Sequence, residues 1–135
     1  MQALTNSAKL QGSILFVCLA LVWCIELVDV VMFGGTLDRF GIRPRRLDAL
    51  AGILAAPLLH SGWAHLAANS LPFVVLGWLV MLRKVRDFFV VSVVVVVIGG
   101  LGVWLIGSAN SVHVGASGVI FGYLGYLIAR GYFER

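Results

Sequence analysis

From about Ser13 to Phe33 the chain runs through Leu, Val, Ile and Ala with only two charged side chains, Glu26 and Asp29. About 20 apolar residues are what an α-helix needs to cross the hydrocarbon core of a bilayer. Further apolar stretches follow at about 64–82, 88–106 and 115–130. Inside lipid no water satisfies a free backbone N–H or C=O, so each stretch must close its own hydrogen bonds as a helix. That rule overrides the β-branched run Val93 to Val97, which would favour a strand in water. The expected fold is therefore all-α, a polytopic transmembrane helical bundle of four spans.

Composition excludes the main alternative. The chain is 61% hydrophobic and 12% charged, with a mean hydropathy of +1.02, against about 45–50% apolar and about 25% charged in a soluble domain. Residues 1–12 read as a cytoplasmic amino-terminal tail and 13–135 as the membrane domain. The first span is too long for a secretion signal and no small-x-small cleavage pattern follows it. Trp23 before Cys24 also differs from the small residue a lipoprotein signal requires. Cys18 and Cys24 are six positions apart and fall on different helix faces, so they read as packing residues rather than a disulfide or metal pair.

The net charge of +4 sits at the ends of apolar runs, which points to lipid headgroups and not to nucleic acid. Arg39, Arg43, Arg45 and Arg46 lie in a long connection from Gly34 to about Gly52, broken by Pro44 and expected to lie along the interface. Arg83, Lys84, Arg86 and Asp87 follow span two as a compact cluster suited to the cytoplasm. With a cytoplasmic amino terminus, Lys9, Arg83, Lys84, Arg86, Arg130 and Arg135 fall inside and the loop arginines outside, in keeping with the positive-inside rule. The expected location is the cell membrane. Glu26 and Asp29 are costly in lipid and are expected to face other helices or the interface. Pro72 is expected to kink span two.

Two polar groups stand out. His65 and Asn69 are four apart, on one face of span two, and can converge on one atom. His60 lies about 140° away from His65 on an ideal helix and fits the preceding turn. A haem or metal site would want a second histidine pair or a carboxylate cluster, so no cofactor and no metal is expected; a structural polar cluster is the plainer alternative. The second group is Gly115, Ala116, Ser117 and Gly118, opening span four. Ser117 could merely cap that helix. Its flanking glycines also leave the hydroxyl uncrowded, where free N–H groups and the positive helix end favour an oxyanion. In the four-span topology both groups reach one depth from the outer face. Together they suit acyl transfer, with Ser117 attacking a carbonyl while Asn69, His65 and the Ser117 N–H stabilise the oxyanion.

At these residues the sequence resembles the rhomboid family of intramembrane serine proteases. His60-Ser-Gly-Trp-Ala-His65-Leu-Ala-Ala-Asn69 is similar to that family's His-x4-His-x3-Asn pattern, and Gly115-Ala-Ser117-Gly118 to its Gly-x-Ser-Gly motif. The resemblance runs from about Gly34 to the carboxyl end. It implies four spans of a six-helix core, Ser117 as nucleophile, His65 and Asn69 at the oxyanion, and a supporting place for His60 at the rim. Transmembrane segments of membrane proteins would be the substrates.

The chain also departs from the family. Rhomboids draw their general base from a histidine on a later helix, and here none follows Ser117; His113 reads as a loop residue. Phe121 stands where relatives often carry Tyr, and Met81 and Val85 replace polar and small positions. Gly118, Gly122 and Gly125 form a smooth stripe on span four, which either packs on spans already present or receives, as in the family, the helix that carries the base. An inactive relative that binds transmembrane helices without cutting them is the alternative.

Overall fold

The computed structural model describes residues 2–134, with side chains from residue 5 onward. Helix α1 occupies Gln2–Val28 and continues as a π-helical turn through Asp29–Phe33. It begins well ahead of Ser13, because Ala8, Lys9, Leu10 and Gln11 are good helix formers that extend the apolar core of the span. Gly34, in the left-handed conformation at φ 62°, ends it. After short 3-10 turns comes α2, Gly52–Ala55, within the apolar stretch Leu47–Leu58. Helix α3 spans Trp63–Met81 and stays helical through Pro72.

Helix α4, Val85–Val94, passes through a π-helical turn at Val95–Gly99 into α5, Gly100–Ile106. The valine run is thus helical, as the bilayer argument requires. The last helix, α6, covers Ser117–Phe133. Thr5–Phe33, Trp63–Met81 and Val85–Ile106 are each long and apolar enough to cross a membrane. At 17 residues, α6 is shorter, about 25 Å at 1.5 Å per residue, yet it runs the length of the bundle.

Helix α3 packs on α1 and α6, and α4 packs on α3 and α6. The buried core gathers Leu15, Val80, Met81, Phe88, Val119 and Tyr123 from all four. At one end Gln11 donates to the Met81 carbonyl at 3.2 Å and accepts from Trp78 Nε1 at 2.8 Å. Arg83 pairs there with Glu134, so α6 finishes where α3 finishes. The other end carries the long connection. Ile42 and His113 exchange backbone hydrogen bonds of 2.9 Å in both directions, and the Arg45 N–H reaches the Trp104 carbonyl at 2.9 Å. Arg45 sits at φ 60° while its Nη1 donates to the Leu105 and Gly107 carbonyls at 3.1 and 2.8 Å. A cation at the carbonyl end of α5 satisfies groups the helix leaves open.

Several expectations gain detail. Glu26 and Asp29 are buried, at 2% and 3% exposure, and Asp29 Oδ1 accepts the Leu37 N–H at 3.0 Å. Both therefore face protein. Cys18 packs partly against the core, but Cys24 is exposed, which corrects its reading as a packing residue. The glycine stripe divides. A methyl group at Gly122 would stand 2.3 Å from Val95, so this glycine lets α6 approach the π-helical turn, whereas Gly118 and Gly125 face open space.

Candidate active site

His60 lies in the turn ahead of α3, and His65 and Asn69 project from that helix's first two turns. Ser117 is the first residue of α6. The N-cap position therefore belongs to Ala116 and the serine is not a cap. Among the described residues its half-buried hydroxyl has no hydrogen-bond partner.

The segment that delivers Ser117 is clamped from three sides. The Gly115 N–H donates to the Ala56 carbonyl at 2.8 Å, and the Ala116 N–H donates to His60 Nε2 at 3.3 Å. At Gly115 the chain takes φ 110°, and an added methyl group would lie 2.6 Å from His65 Cε1, 2.8 Å from its Nε2 and 3.4 Å from Asn69 Nδ2. Only glycine suits both that φ and that space. The backbone two residues before Ser117 thus rests directly on His65 and Asn69, which brings the two separated sequence motifs together.

The histidines take opposite tautomers. His60 Nε2 accepts from Ala116, so its proton is on Nδ1. Burial, and then the charge of neighbouring His65, push His60 from 6.5 down to about 4, so the ring is neutral near pH 7. His65 Nδ1 instead receives the Ser61 N–H at 3.4 Å and faces the Ser61 hydroxyl at 3.1 Å. That leaves the His65 proton on Nε2, at the ring edge pressed against Gly115. Asn69 Nδ2 is buried and has no hydrogen-bond partner among the described residues. His65 and Asn69 therefore flank the backbone at Gly115, two residues ahead of the opening N–H groups of α6.

Sequence reasoning missed Ser61, whose bond to His65 depends on the turn geometry at Gly62 (φ 98°). It also missed Ala56, a residue without functional side-chain chemistry that acts through its carbonyl. His113 holds the Ser111 hydroxyl through Nε2 at 2.8 Å and the interfacial loop through its backbone, and it serves structure. Phe121 is 70% exposed on the same open face of α6 as Gly118 and Gly125.

Residues 48–135 match the Rhomboid domain. The uncharacterized protein Rv1337 of Mycobacterium tuberculosis is 43% identical over 129 residues, which is 92% of this chain and 53% of that protein. The uncharacterized protein ML1171 of Mycobacterium leprae is 40% identical over 129 residues, 92% of this chain and 51% of its own length. The chain thus spans about half the length of the curated relatives it matches. No solved structure matches it. With the domain match covering both motifs and more than half of the chain, the chain belongs to the rhomboid family.

Proposed function

We propose that this chain carries the nucleophile and oxyanion half of an intramembrane serine endopeptidase that cleaves transmembrane segments of other membrane proteins. The observation that carries the reading is the packing of Gly115 onto His65 and Asn69, two residues before the Ser117 hydroxyl. Ser117 Oγ would add to the scissile carbonyl carbon. The oxyanion would then take hydrogen bonds from the Ser117 N–H, His65 Nε2 and Asn69 Nδ2, with the positive end of α6 behind them. His60 is a positioning residue that holds the loop through Ala116.

The base that removes the serine proton comes from outside these 135 residues. His60 faces Ala116, His65 is committed to Ser61, and His113 to Ser111. The open face of α6 at Gly118, Phe121 and Gly125 supports the docking of a further helix there. In this reading the site end faces the outer surface and the amino terminus lies in the cytoplasm of a cell-membrane protein. A serine-reactive fluorophosphonate tests it. A longer form of the protein that supplies the later helices should label, and its Ser117→Ala variant should not. Equal, absent labelling of both would favour an inactive protein that only binds transmembrane helices.

A further inference from the structure

The rhomboid match begins at residue 48, so α1 lies outside it, yet α1 grips the helix that carries His65 and Asn69. The Trp23 Nε1–H donates to Ser70 Oγ at 3.1 Å, and that hydroxyl donates onward to the Leu66 carbonyl at 2.8 Å. The Trp23 ring also packs on Trp63, with centroids 5.8 Å apart. On the next turn of α1 stands Glu26, 2% exposed, and its carboxylate accepts the Gly62 N–H. These contacts bracket the site residues of α3: Gly62 and Trp63 precede His65, and Ser70 follows Asn69.

A carboxylate inside a membrane span is costly and calls for a specific partner. Asp29, one turn beyond Glu26, has the Leu37 N–H at 3.0 Å. Glu26 has the start of α3. Gly62 is the residue that opens this helix, at φ 98° and ψ 164°. That conformation suits glycine, which has no side chain to cap the helix, so the cap must come from elsewhere. A carboxylate there is also favoured by the positive helix end.

The peptide that ends in the Gly62 N–H begins at Ser61, and Ser61 is the residue that holds His65. Its N–H and hydroxyl stand 3.4 and 3.1 Å from His65 Nδ1, while the opposite edge of that ring lies against Gly115. We propose that Glu26 is a positioning residue for His65: by holding the Gly62 N–H it fixes Ser61, and through Ser61 it aims the Nε2 edge of the imidazole at the backbone that leads to Ser117. Trp23 has a separate task, pressing the two helices together. The place of Glu26 in catalysis rests on the hydrolytic reading of the site, and the alignment of His65 does not.

The test reads the imidazole of His65 by 15N spectroscopy in the histidine-labelled 135-residue chain in detergent. Glu26→Ala should move His65 toward the form protonated on Nδ1 by about two- to tenfold, with His113 unchanged. Glu26→Gln, whose amide oxygen still accepts from Gly62, should restore the ratio. Trp23→Phe loses the bond to Ser70 but keeps a ring on Trp63; it should lower the melting temperature and leave the ratio alone. An unchanged ratio in Glu26→Ala would overturn the proposal, as would an equal shift in Trp23→Phe, which would assign the alignment to helix packing. Should Glu26→Ala fail to fold, the Gly62 amide proton decides. The neutral acceptor of Glu26→Gln is weaker and should move that resonance upfield, and an unmoved resonance would overturn the proposal. In a longer form that cleaves, Glu26→Ala should lower kcat with KM nearly unchanged. A tautomer response without cleavage in any form would leave the alignment standing and remove the hydrolytic reading.

Discussion

The Ser61 hydroxyl lies 3.1 Å from Nδ1 of His65, and the Ser61 N–H points to the same nitrogen at 3.4 Å. This pair fixes which edge of the imidazole donates toward Gly115. Removing one neutral hydrogen bond should shift the tautomer ratio about two- to tenfold. In 15N spectra of histidine-labelled protein at pH 8, His65 should carry its proton on Nε2, and Ser61→Ala should move population to Nδ1. An unchanged ratio would mean that the hydroxyl plays no part.

His60 gives stability a pH dependence. Its folded value of about 4 lies below its ordinary 6.5, because burial and the neighbouring His65 disfavour the charged ring. Between those values the unfolded chain binds a proton that the folded chain refuses, so stability is full above about pH 6.5 and falls as pH drops toward 4. Thermal unfolding in detergent should show this loss, and His60→Gln, which does not titrate, should show a shallower slope over the same window.

Glycines on α6 should respond in opposite ways. Gly122→Ala drives a methyl group into Val95 and should destabilise the bundle by about 1–3 kcal/mol. Gly125→Ala meets open space and should leave this chain's melting temperature unchanged or slightly raised, since alanine is the better helix former. A shared response would contradict the packing described.

Arg45 joins the interfacial loop to the end of α5. Arg45→Ala removes the hydrogen bonds to the Leu105 and Gly107 carbonyls and should cost about 1–2 kcal/mol in chemical or thermal unfolding, the range of a partly exposed charged cap. Arg45→Gly relieves the left-handed backbone at φ 60° and should cost less than the alanine.

How much of this was legible in the sequence differs by level. The spans followed from apolar length, because a bilayer leaves a chain few choices. Helical spacing put His65 and Asn69 on one face of α3, while the close approach of Gly115 to both is a contact between distant segments that spacing alone does not give. The fine structure likewise did not follow, since it depends on contacts between distant segments: the bridge between Ile42 and His113, the carbonyl of Ala56 on Gly115, the division of the glycine stripe by Val95. A clamp made by backbone atoms leaves no residue type to read, and the exposure of Cys24 has no pattern along the chain.

The central claim is that Ser117, His65 and Asn69 act as one hydrolytic site, and cleavage of a transmembrane substrate tests it most directly. In a longer form of the protein reconstituted into vesicles, Ser117→Ala should abolish cleavage. Asn69→Ala and His65→Ala should each lower it about 10²–10³-fold, the usual loss for one oxyanion donor, and the 135-residue chain alone should not turn over. Full cleavage by the Ser117→Ala variant, or turnover by the short chain unaided, would contradict the account.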